Sequence, residues 1–228
     1  MKKIAVILYG PPGGGKGTQA NLLATQLQLI HFETGKFCEQ VVHDPKRQKE
    51  KIIRRERKLF DAGILMTPSF VLREVARRTK EIAKVGWGVV YSGSPRTIYE
   101  AEGLVPILEK LYGKKNIFVF GLKVKAADSM KRNSNRMLCS ICRAPLLTAY
   151  YPSKNPKHCP VCAGPLYKRT LDKPEVIKVR LKEYEERTFP IFAFMRKRGY
   201  RIVSFEGNLP PYRIFQKIHG HIKNSLGN

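Results

Sequence analysis

The sequence has few acidic residues, no long apolar run and only five cysteines. Its 228 residues include 18 Asp and Glu against 43 Lys and Arg, which gives a formal charge of +25. The longest apolar stretches have the length of a strand, and the Met-Lys-Lys start is too poor in apolar residues for a signal peptide. We therefore expect a soluble, cytoplasmic protein with no membrane contact. A chain of this length can bury a full core as one domain with insertions, and its cysteine usage does not indicate a disulfide framework.

A glycine-rich loop follows the first apolar run. Ile4 to Tyr9 leads into Gly10-Pro11-Pro12-Gly13-Gly14-Gly15-Lys16-Gly17-Thr18, and a helical pattern then continues to Leu27. In such a strand, loop and helix, backbone N–H groups turn inward on one anion and the helix N-terminus adds partial positive charge. Lys16 can reach the outer phosphates of a nucleotide. The pattern predicts binding of a nucleoside triphosphate and leaves the reaction open.

The positive charge exceeds what phosphorylated ligands require, since roughly half a dozen cations suffice to clamp two nucleotides. Clusters occur from Lys46 to Lys58 and from Lys168 to Arg187. The excess indicates either contact with RNA or the ribosome, or an organism whose proteins are broadly basic. The first cluster has no aromatic residue before Phe60, so it also fits a solvated helix face.

Short apolar strands alternate with helical patterns along the chain. This alternation, without polar residues inside the strands, predicts an α/β fold with a parallel sheet covered on both faces. Strands are predicted at 3–9, around 30–32, and at 89–92, 117–124 and 201–205. Helices are predicted at 18–28, 36–43, 48–60, 69–84, 98–111, 125–136, 174–197 and 211–225. Two segments interrupt the alternation, one around Pro45 to Pro68 and one at 137–167.

Four of the five cysteines form two Cys-x-x-Cys pairs. Cys139 and Cys142 are separated by sixteen residues from Cys159 and Cys162. Four thiolates complete a tetrahedral shell with no open position, so the spacing predicts a structural zinc site that braces the insertion. Cys38 stands alone in a helical pattern and is interpreted as a small apolar residue.

Several segments together resemble the adenylate kinase family, most closely its bacterial form with a zinc-bearing lid. They are the glycine loop, Thr34-Gly35, Asp61-Ala62-Gly63, Gly93-Ser94-Pro95-Arg96-Thr97 and the cysteine-bearing insertion. The resemblance covers nearly the whole chain and implies a P-loop nucleoside monophosphate kinase fold. It implies a core of residues 1–33, 67–131 and 171–228, an acceptor-binding subdomain at 34–66 and a lid at 132–170. The implied activity is transfer of the γ-phosphoryl group of ATP to AMP or a related nucleoside monophosphate, with Mg²⁺, by a monomer.

The resemblance also implies a set of site residues, carried over motif by motif. The cations that would act on the transferred phosphoryl group are Lys16, Arg96, Arg132, Arg136, Arg169 and Arg180. The ATP site would comprise Gly13, Gly14, Gly15, Lys16, Gly17, Thr18, Arg132 and Arg136. The acceptor site would comprise Thr34, Gly35, Met66, Gly93, Arg96 and Glu100. A cage of fixed cations is what phosphoryl transfer needs, because there is little covalent chemistry for the protein to perform.

Three positions depart from the family pattern. Ser92 stands where the family has an aspartate that holds magnesium through water, and Glu33 at the end of the neighbouring strand is a candidate substitute. Glu39 replaces an arginine that binds the acceptor phosphate, and its carboxylate would repel that group unless Lys36 or a residue of the basic helix substitutes. Glu100 replaces a glutamine that reads adenine, and an ionised carboxylate, which only accepts hydrogen bonds, suits a guanine edge better.

Three functional interpretations follow, and the preserved cations favour an active nucleoside monophosphate kinase. Ser92 and Glu39 also fit a nucleotide-responsive pseudoenzyme that binds ATP without productive transfer. The charge and the cysteine pairs fit a zinc-bearing nucleic-acid binder that retains the fold.

Overall fold

A parallel β-sheet forms the centre of the computed structural model, which describes residues 3–142, 144–146 and 156–227. The strands are β1 (Ala5–Tyr9), β2 (Leu29–Phe32), β3 (Gly88–Tyr91), β4 (Ile117–Lys123), β5 (Met137–Cys139), β6 (Pro145–Leu146), β7 (Leu166–Tyr167) and β8 (Ile202–Glu206). Five of them pair in the order β2-β3-β1-β4-β8, and all four pairings are parallel. The predicted α/β fold with a covered parallel sheet is confirmed.

Helices connect these strands and cover both faces of the sheet. They are α1 (Lys16–Leu27), α2 (Thr34–Val42), α3 (Lys51–Asp61), α4 (Pro68–Lys84), α5 (Ile98–Tyr112), α6 (Ala126–Ser134), α7 (Pro174–Glu183), α8 (Ile191–Lys197) and α9 (Pro211–Ser225). Side chains of β1 alternate between two apolar clusters. Ala5, Ile7 and Tyr9 pack on the side of α4, α5 and α8, whereas Val6 and Leu8 pack on the side of α1 and α9. A strand buried on both faces needs apolar residues at every position, which explains its unbroken apolar run.

The single helix predicted at 174–197 is wrong. The structure ends α7 at Glu183, continues with a π-helical turn at Tyr184–Thr188, and begins α8 at Ile191 after Pro190. Pro190 lacks a backbone N–H and therefore cannot donate the hydrogen bond that a regular helix would make at this position. Thr188 is buried here and its hydroxyl donates to the carbonyl of Arg96, 2.9 Å away. The helical irregularity therefore contacts the loop that follows β3.

Several other helix boundaries differ from the prediction by one to three residues, among them those of α3 and α6. The helix predicted from residue 48 begins at Lys51, because Pro45–Arg47 form a 3₁₀ turn and the side chain of Gln48 donates to the carbonyls of Val42 and Asp44. The helix predicted to end at residue 136 ends at Ser134, since the chain enters β5 at Met137.

A small antiparallel sheet lies apart from the central one, in the order β6-β5-β7. It falls within the segment 132–170 that is predicted to be a lid, of which residues 143 and 147–155 lie outside the described part of the chain. Among the described residues, no helix has the length and apolarity that crossing a membrane requires.

Candidate active site

The glycine loop lies between β1 and α1, at the carboxyl end of the central strand. Gly13 and Gly15 have φ angles of 71° and 88°, in the left-handed region that favours glycine. A Cβ atom on Gly13 would lie 2.5 Å from the side-chain nitrogen of Asn133, so a side chain is also sterically barred there. The loop thus keeps its backbone accessible at the N-terminus of α1, where anions bind.

Lys16 is the first residue of α1 and its side chain folds over the loop. Its Nζ donates to the carbonyls of Gly10 and Pro11, at 2.7 and 2.8 Å. Burial lowers the pKa of Lys16 well below its ordinary value, and the charges of Arg96, Arg180 and Arg136 lower it further. An anion bound in the loop would relieve this repulsion.

A cleft of about 400 Å³ opens above the loop. All six cations carried over from the family line this cleft, although they come from widely separated positions: Lys16, Arg96, Arg132, Arg136, Arg169 and Arg180. Thr18 and the loop glycines 13, 14, 15 and 17 line it as well. Part of its lining is an apolar wall that suits the flat face of a base, formed by Gly207, Leu209, Pro211 and Ile214.

Two carboxylates hold three of the arginines in the cleft. Asp172 accepts two hydrogen bonds from Arg136, at 2.6 and 2.9 Å, and lies 3.6 Å from Arg180. Glu39 pairs with Arg169 at 3.3 Å. Burial and the neighbouring arginines lower the pKa of Arg180 to about 9, and the charge of Asp172 opposes this shift. The cations are therefore positioned before any phosphate arrives.

The other two arginines are held by backbone and amide oxygens. Arg96 donates from Nε to the carbonyl of Gly93 at 2.8 Å. Arg132 donates to the carbonyl of Gly207 at 2.9 Å and to the side chain of Asn208 at 2.8 Å, beside the apolar wall. The partners of these two guanidinium groups are carbonyl and amide oxygens, not carboxylates.

A smaller recess of about 40 Å³ extends from the cleft, between α2, α3 and the loop after β3. The six residues predicted for the acceptor site all line it: Thr34, Gly35, Met66, Gly93, Arg96 and Glu100. A Cβ atom on Gly93 would lie 2.9 Å from a guanidinium nitrogen of Arg96, so glycine is needed for this approach. Cys38 also lines the recess and is buried. Burial raises the pKa of its thiol to about 12, which agrees with an unreactive apolar role.

Glu100 has a structural role that the sequence analysis missed. Its carboxylate accepts from the backbone N–H of Arg96 at 2.9 Å and from the hydroxyl of Thr97 at 3.1 Å, while its own N–H donates to that hydroxyl. This is a variant of the capping box at the start of α5, in which the carboxylate reaches the N–H of Arg96, one residue before the N-cap Thr97, and the Thr-x-x-Glu pattern could have revealed it. The side chain is 3% exposed, and burial raises its pKa.

Ser92 belongs to a chain of hydrogen bonds at the edge of the cleft. Its hydroxyl lies 2.7 Å from Nε2 of His31, whose Nδ1 lies 2.6 Å from the carboxamide oxygen of Asn21. Burial lowers the pKa of His31, so the imidazole is neutral at neutral pH. Glu33 also lines the cleft and pairs with Lys36 at 2.7 Å. Because these residues are distant in sequence, no local pattern indicated the chain.

The four paired cysteines converge in the small sheet. All four sulfur atoms lie within 4.8 Å of one another, with Sγ distances of 3.4 Å for Cys139–Cys162 and 3.6 Å for Cys142–Cys159. A tetrahedral zinc with Zn–S bonds of about 2.3 Å needs sulfurs about 3.8 Å apart, so the residues fit the metal. Backbone N–H groups at residues 161 and 162 lower the pKa of Cys159, which favours the thiolate. His158 is exposed and stays outside this group.

A glycine loop at the carboxyl end of a parallel sheet, with a cationic cleft above it, defines a P-loop phosphotransferase. The family model for adenylate kinase matches residues 8–200. The chain is 33% identical over 201 residues to an adenylate kinase of Caldicellulosiruptor bescii, covering 88% of this chain and 90% of the relative. It is 33% identical over 213 residues to that of Methanothrix thermoacetophila (93% and 95% covered) and 35% identical over 211 residues to that of Pelobacter propionicus (92% and 92%). The chain belongs to the adenylate kinase family, whose members are phosphotransferases that use Mg²⁺ with ATP.

Proposed function

We propose that the chain transfers the γ-phosphoryl group of ATP to a nucleoside monophosphate, with AMP as the first candidate acceptor. One observation carries the proposal: six cations from separate parts of the chain line a single cleft above the glycine loop. An oxygen of the acceptor phosphate attacks the γ-phosphorus, the bond from that phosphorus to the bridging oxygen breaks, and ADP leaves with the electron pair. Fixed cations stabilise the charge that spreads over the transferred group.

The glycine loop and the apolar wall form the donor side. Backbone N–H groups of residues 13–18 cradle the β- and γ-phosphates of ATP, and Lys16 moves from the loop carbonyls onto them. Arg132 and Arg136 contact the triphosphate, and Arg132 also lies against the base. Mg²⁺ bound with ATP would neutralise phosphate charge, and oxygens of Thr18, Glu33 and Ser92 on the cleft wall are suited to it.

The recess and its surroundings form the acceptor side. Arg96 binds the acceptor phosphate, and Gly35 and Gly93 allow the ligand to approach it closely. Thr34, Met66 and Glu100 surround the rest of the nucleotide.

Arg169 and Arg180 complete the cage from the lid side. Segment 34–66 acts as the acceptor-binding subdomain and segment 132–170 as a lid braced by a zinc site of four cysteines, on a core of 1–33, 67–131 and 171–228. Lid closure would exclude water from the transferred group.

GMP is a second candidate acceptor because the carboxylate of Glu100 lines the recess. An ionised carboxylate accepts hydrogen bonds from the two adjacent N–H groups of guanine, whereas it opposes the bare ring nitrogen of adenine. Burial raises the pKa of Glu100, and a protonated carboxyl would give and take hydrogen bonds as an amide does. The ratio of kcat/KM for AMP and GMP separates the two. Glu100→Gln should shift that ratio at least tenfold towards AMP if guanine is the natural base.

The decisive experiment mixes zinc-loaded protein with ATP, Mg²⁺ and each of AMP, GMP, CMP, UMP and dTMP, and follows diphosphate formation. Turnover with one acceptor is the expected result. Absence of turnover with all five, alongside retained ATP binding, would contradict the proposal and favour a nucleotide-binding pseudoenzyme. Arg96→Lys is a useful variant, because it keeps a charge but loses the planar fork for phosphate.

Contact with RNA is a further candidate role of the surface, supported by helix α3. Lys51, Arg54 and Lys58 are exposed along it and, within the described residues, have no carboxylate partner. Such a face binds polyanions without sequence preference, so affinity for single-stranded RNA should fall steeply with salt. An affinity that does not change between 50 and 200 mM salt would exclude this role. The same samples, examined by sedimentation, test the expected monomer.

A further inference from the structure

Side chains that carry oxygen atoms form part of the cleft wall together with the phosphate loop. Thr18, Glu33 and Ser92 line the same cavity as Lys16. Mg²⁺ prefers oxygen ligands, dehydrates reluctantly and usually keeps several waters when it is bound to nucleotide phosphates. A cation that accompanies ATP would therefore present water molecules to this wall, and those waters need acceptors. Glu33 already pairs with Lys36 at 2.7 Å.

The hydrogen bonds behind Ser92 fix the direction in which its hydroxyl points. The carboxamide oxygen of Asn21 only accepts, so Nδ1 of His31 carries the proton and donates to it. In the neutral ring, Nε2 then accepts, and the partner 2.7 Å away is the hydroxyl of Ser92. Ser92 therefore gives its proton to His31. Its oxygen lone pairs remain available as acceptors for a ligand in the cleft that Ser92 lines.

Two strands of the central sheet position the hydrogen bond between His31 and Ser92. His31 lies in β2 and Ser92 follows β3, and the two strands pair in parallel with His31 opposite Val90. The backbone N–H of Ser92 donates to the carbonyl of Phe32. Because His31 lies in β2 and Ser92 directly follows the adjacent strand β3, the hydroxyl is held in place before a ligand arrives. Ser92 is 8% exposed, which leaves it enough surface for one contact.

We infer that Ser92, oriented by His31 and Asn21, is a positioning residue that accepts hydrogen bonds from water on the nucleotide-bound cation. The neutral hydroxyl of Ser92, hydrogen-bonded to the imidazole of His31, thus stands where the family pattern has an aspartate carboxylate. The inference rests on the proposed function in one respect, namely that the cleft binds ATP with its cation. It does not depend on the acceptor or on turnover.

The test compares ATP affinity with and without the cation by calorimetry. For Ser92→Ala we expect the Kd of metal-free ATP, measured in EDTA, to stay within twofold. The Kd measured with Mn²⁺, and likewise with Mg²⁺, should rise about fivefold to tenfold. Ser204→Ala, a serine on the far edge strand β8, is the matched control and should change neither value. A Ser92→Ala loss of equal size with and without metal would refute the inference.

A double-mutant cycle tests the part assigned to His31. His31→Ala should cost about threefold in metal-dependent affinity, and His31→Gln should cost less because its amide oxygen can still accept from the serine. In a Ser92→Ala background, His31→Ala should have no further effect. An undiminished effect in that background would overturn the positioning role.

Mass spectrometry after incubation with ATP tests a competing role, in which Ser92 is a nucleophile that becomes phosphorylated. The same geometry could activate Ser92 as a nucleophile, with its proton passing to His31. Phosphoserine at residue 92 would overturn the positioning role. None of these measurements needs an acceptor nucleotide. The role of Ser92 can therefore be tested even if the protein shows no kinase activity.

Discussion

Removing the charge of Asp172 should make the protein less stable and its nucleotide binding tighter. The side chain is 2% exposed and joins Arg136 to Arg180, which are 24% and 20% exposed. In Asp172→Asn the amide keeps one acceptor oxygen and turns its NH₂ group towards a guanidinium donor. Two cations then lose their shared anion, although phosphate can approach them without competition.

The size of the effect follows from the burial of the three groups. Removing one partner of a buried ion pair costs about 3–5 kcal/mol. Both guanidiniums retain some access to water, so we expect a loss of about 2–3 kcal/mol in the free energy of unfolding. For a chain of this length that corresponds to a fall in Tm of about 5–10 °C. If ATP binds about fivefold tighter, saturating ATP should recover about 1 kcal/mol of the difference.

Thermal unfolding with and without ATP, together with calorimetric ATP affinities, measures both effects. Asp61→Asn is the matched control: its carboxylate pairs with His43 and Arg57 but is 50% exposed. That change should cost about 0.5 kcal/mol or less and leave ATP affinity unchanged. The reasoning is refuted if Asp172→Asn leaves Tm unchanged, or if ATP binds the variant more weakly than the wild type.

Three further predictions concern the lid, the phosphate loop and the acceptor side. Cys162→Ser should lose zinc and protection of the small sheet in hydrogen exchange, while amides of the central sheet stay protected; uniform loss of protection would show that the metal supports the whole fold. Because the folded state holds the pKa of Lys16 below its unfolded value, the charged lysine costs stability at neutral pH, and this cost disappears as pH rises. The Tm of wild type relative to Lys16→Met should therefore rise from pH 7 towards pH 10, while the variant's kcat is lower by about 10²–10³-fold; a Tm difference that does not change with pH would contradict the assignment. Glu39→Gln should free Arg169 and lower the acceptor KM about threefold, and a higher KM would count against competition between Glu39 and the acceptor phosphate.

Much of the core could be predicted because its patterns are local. The apolar run of β1, the glycine loop and the start of α1 are contiguous, and each element follows from its own residues. The cysteine pairs likewise indicated one metal centre, because four thiolates at that spacing have few other uses. The error at 174–197 arose because helical periodicity continues through this stretch, whereas the structure has a π-helical turn at Tyr184–Thr188 and Pro190 before α8.

The hydrogen-bond and ion-pair partners of the charged groups could not be predicted from local patterns. Glu100 was interpreted only as a reader of the acceptor base, yet in the structure it also caps α5. Glu39 appeared as a charge that repels the acceptor phosphate, yet it pairs with Arg169, 130 residues away. Such partners depend on which loops meet at the carboxyl edge of the sheet, and a single sequence does not encode that in any nearby pattern.

The sequence by itself determined the kind of ligand and the kind of fold. A glycine loop between an apolar strand and a helix can hardly do anything other than bind phosphate, and strands buried on both faces require a covered parallel sheet. Only the tertiary structure decided which cation has which anion and where the hydroxyl of Ser92 points. The physical reason is the separation along the sequence. The patterns that indicate a strand or a loop extend over a few neighbouring residues, whereas these ion pairs and hydrogen bonds join residues that only folding brings together.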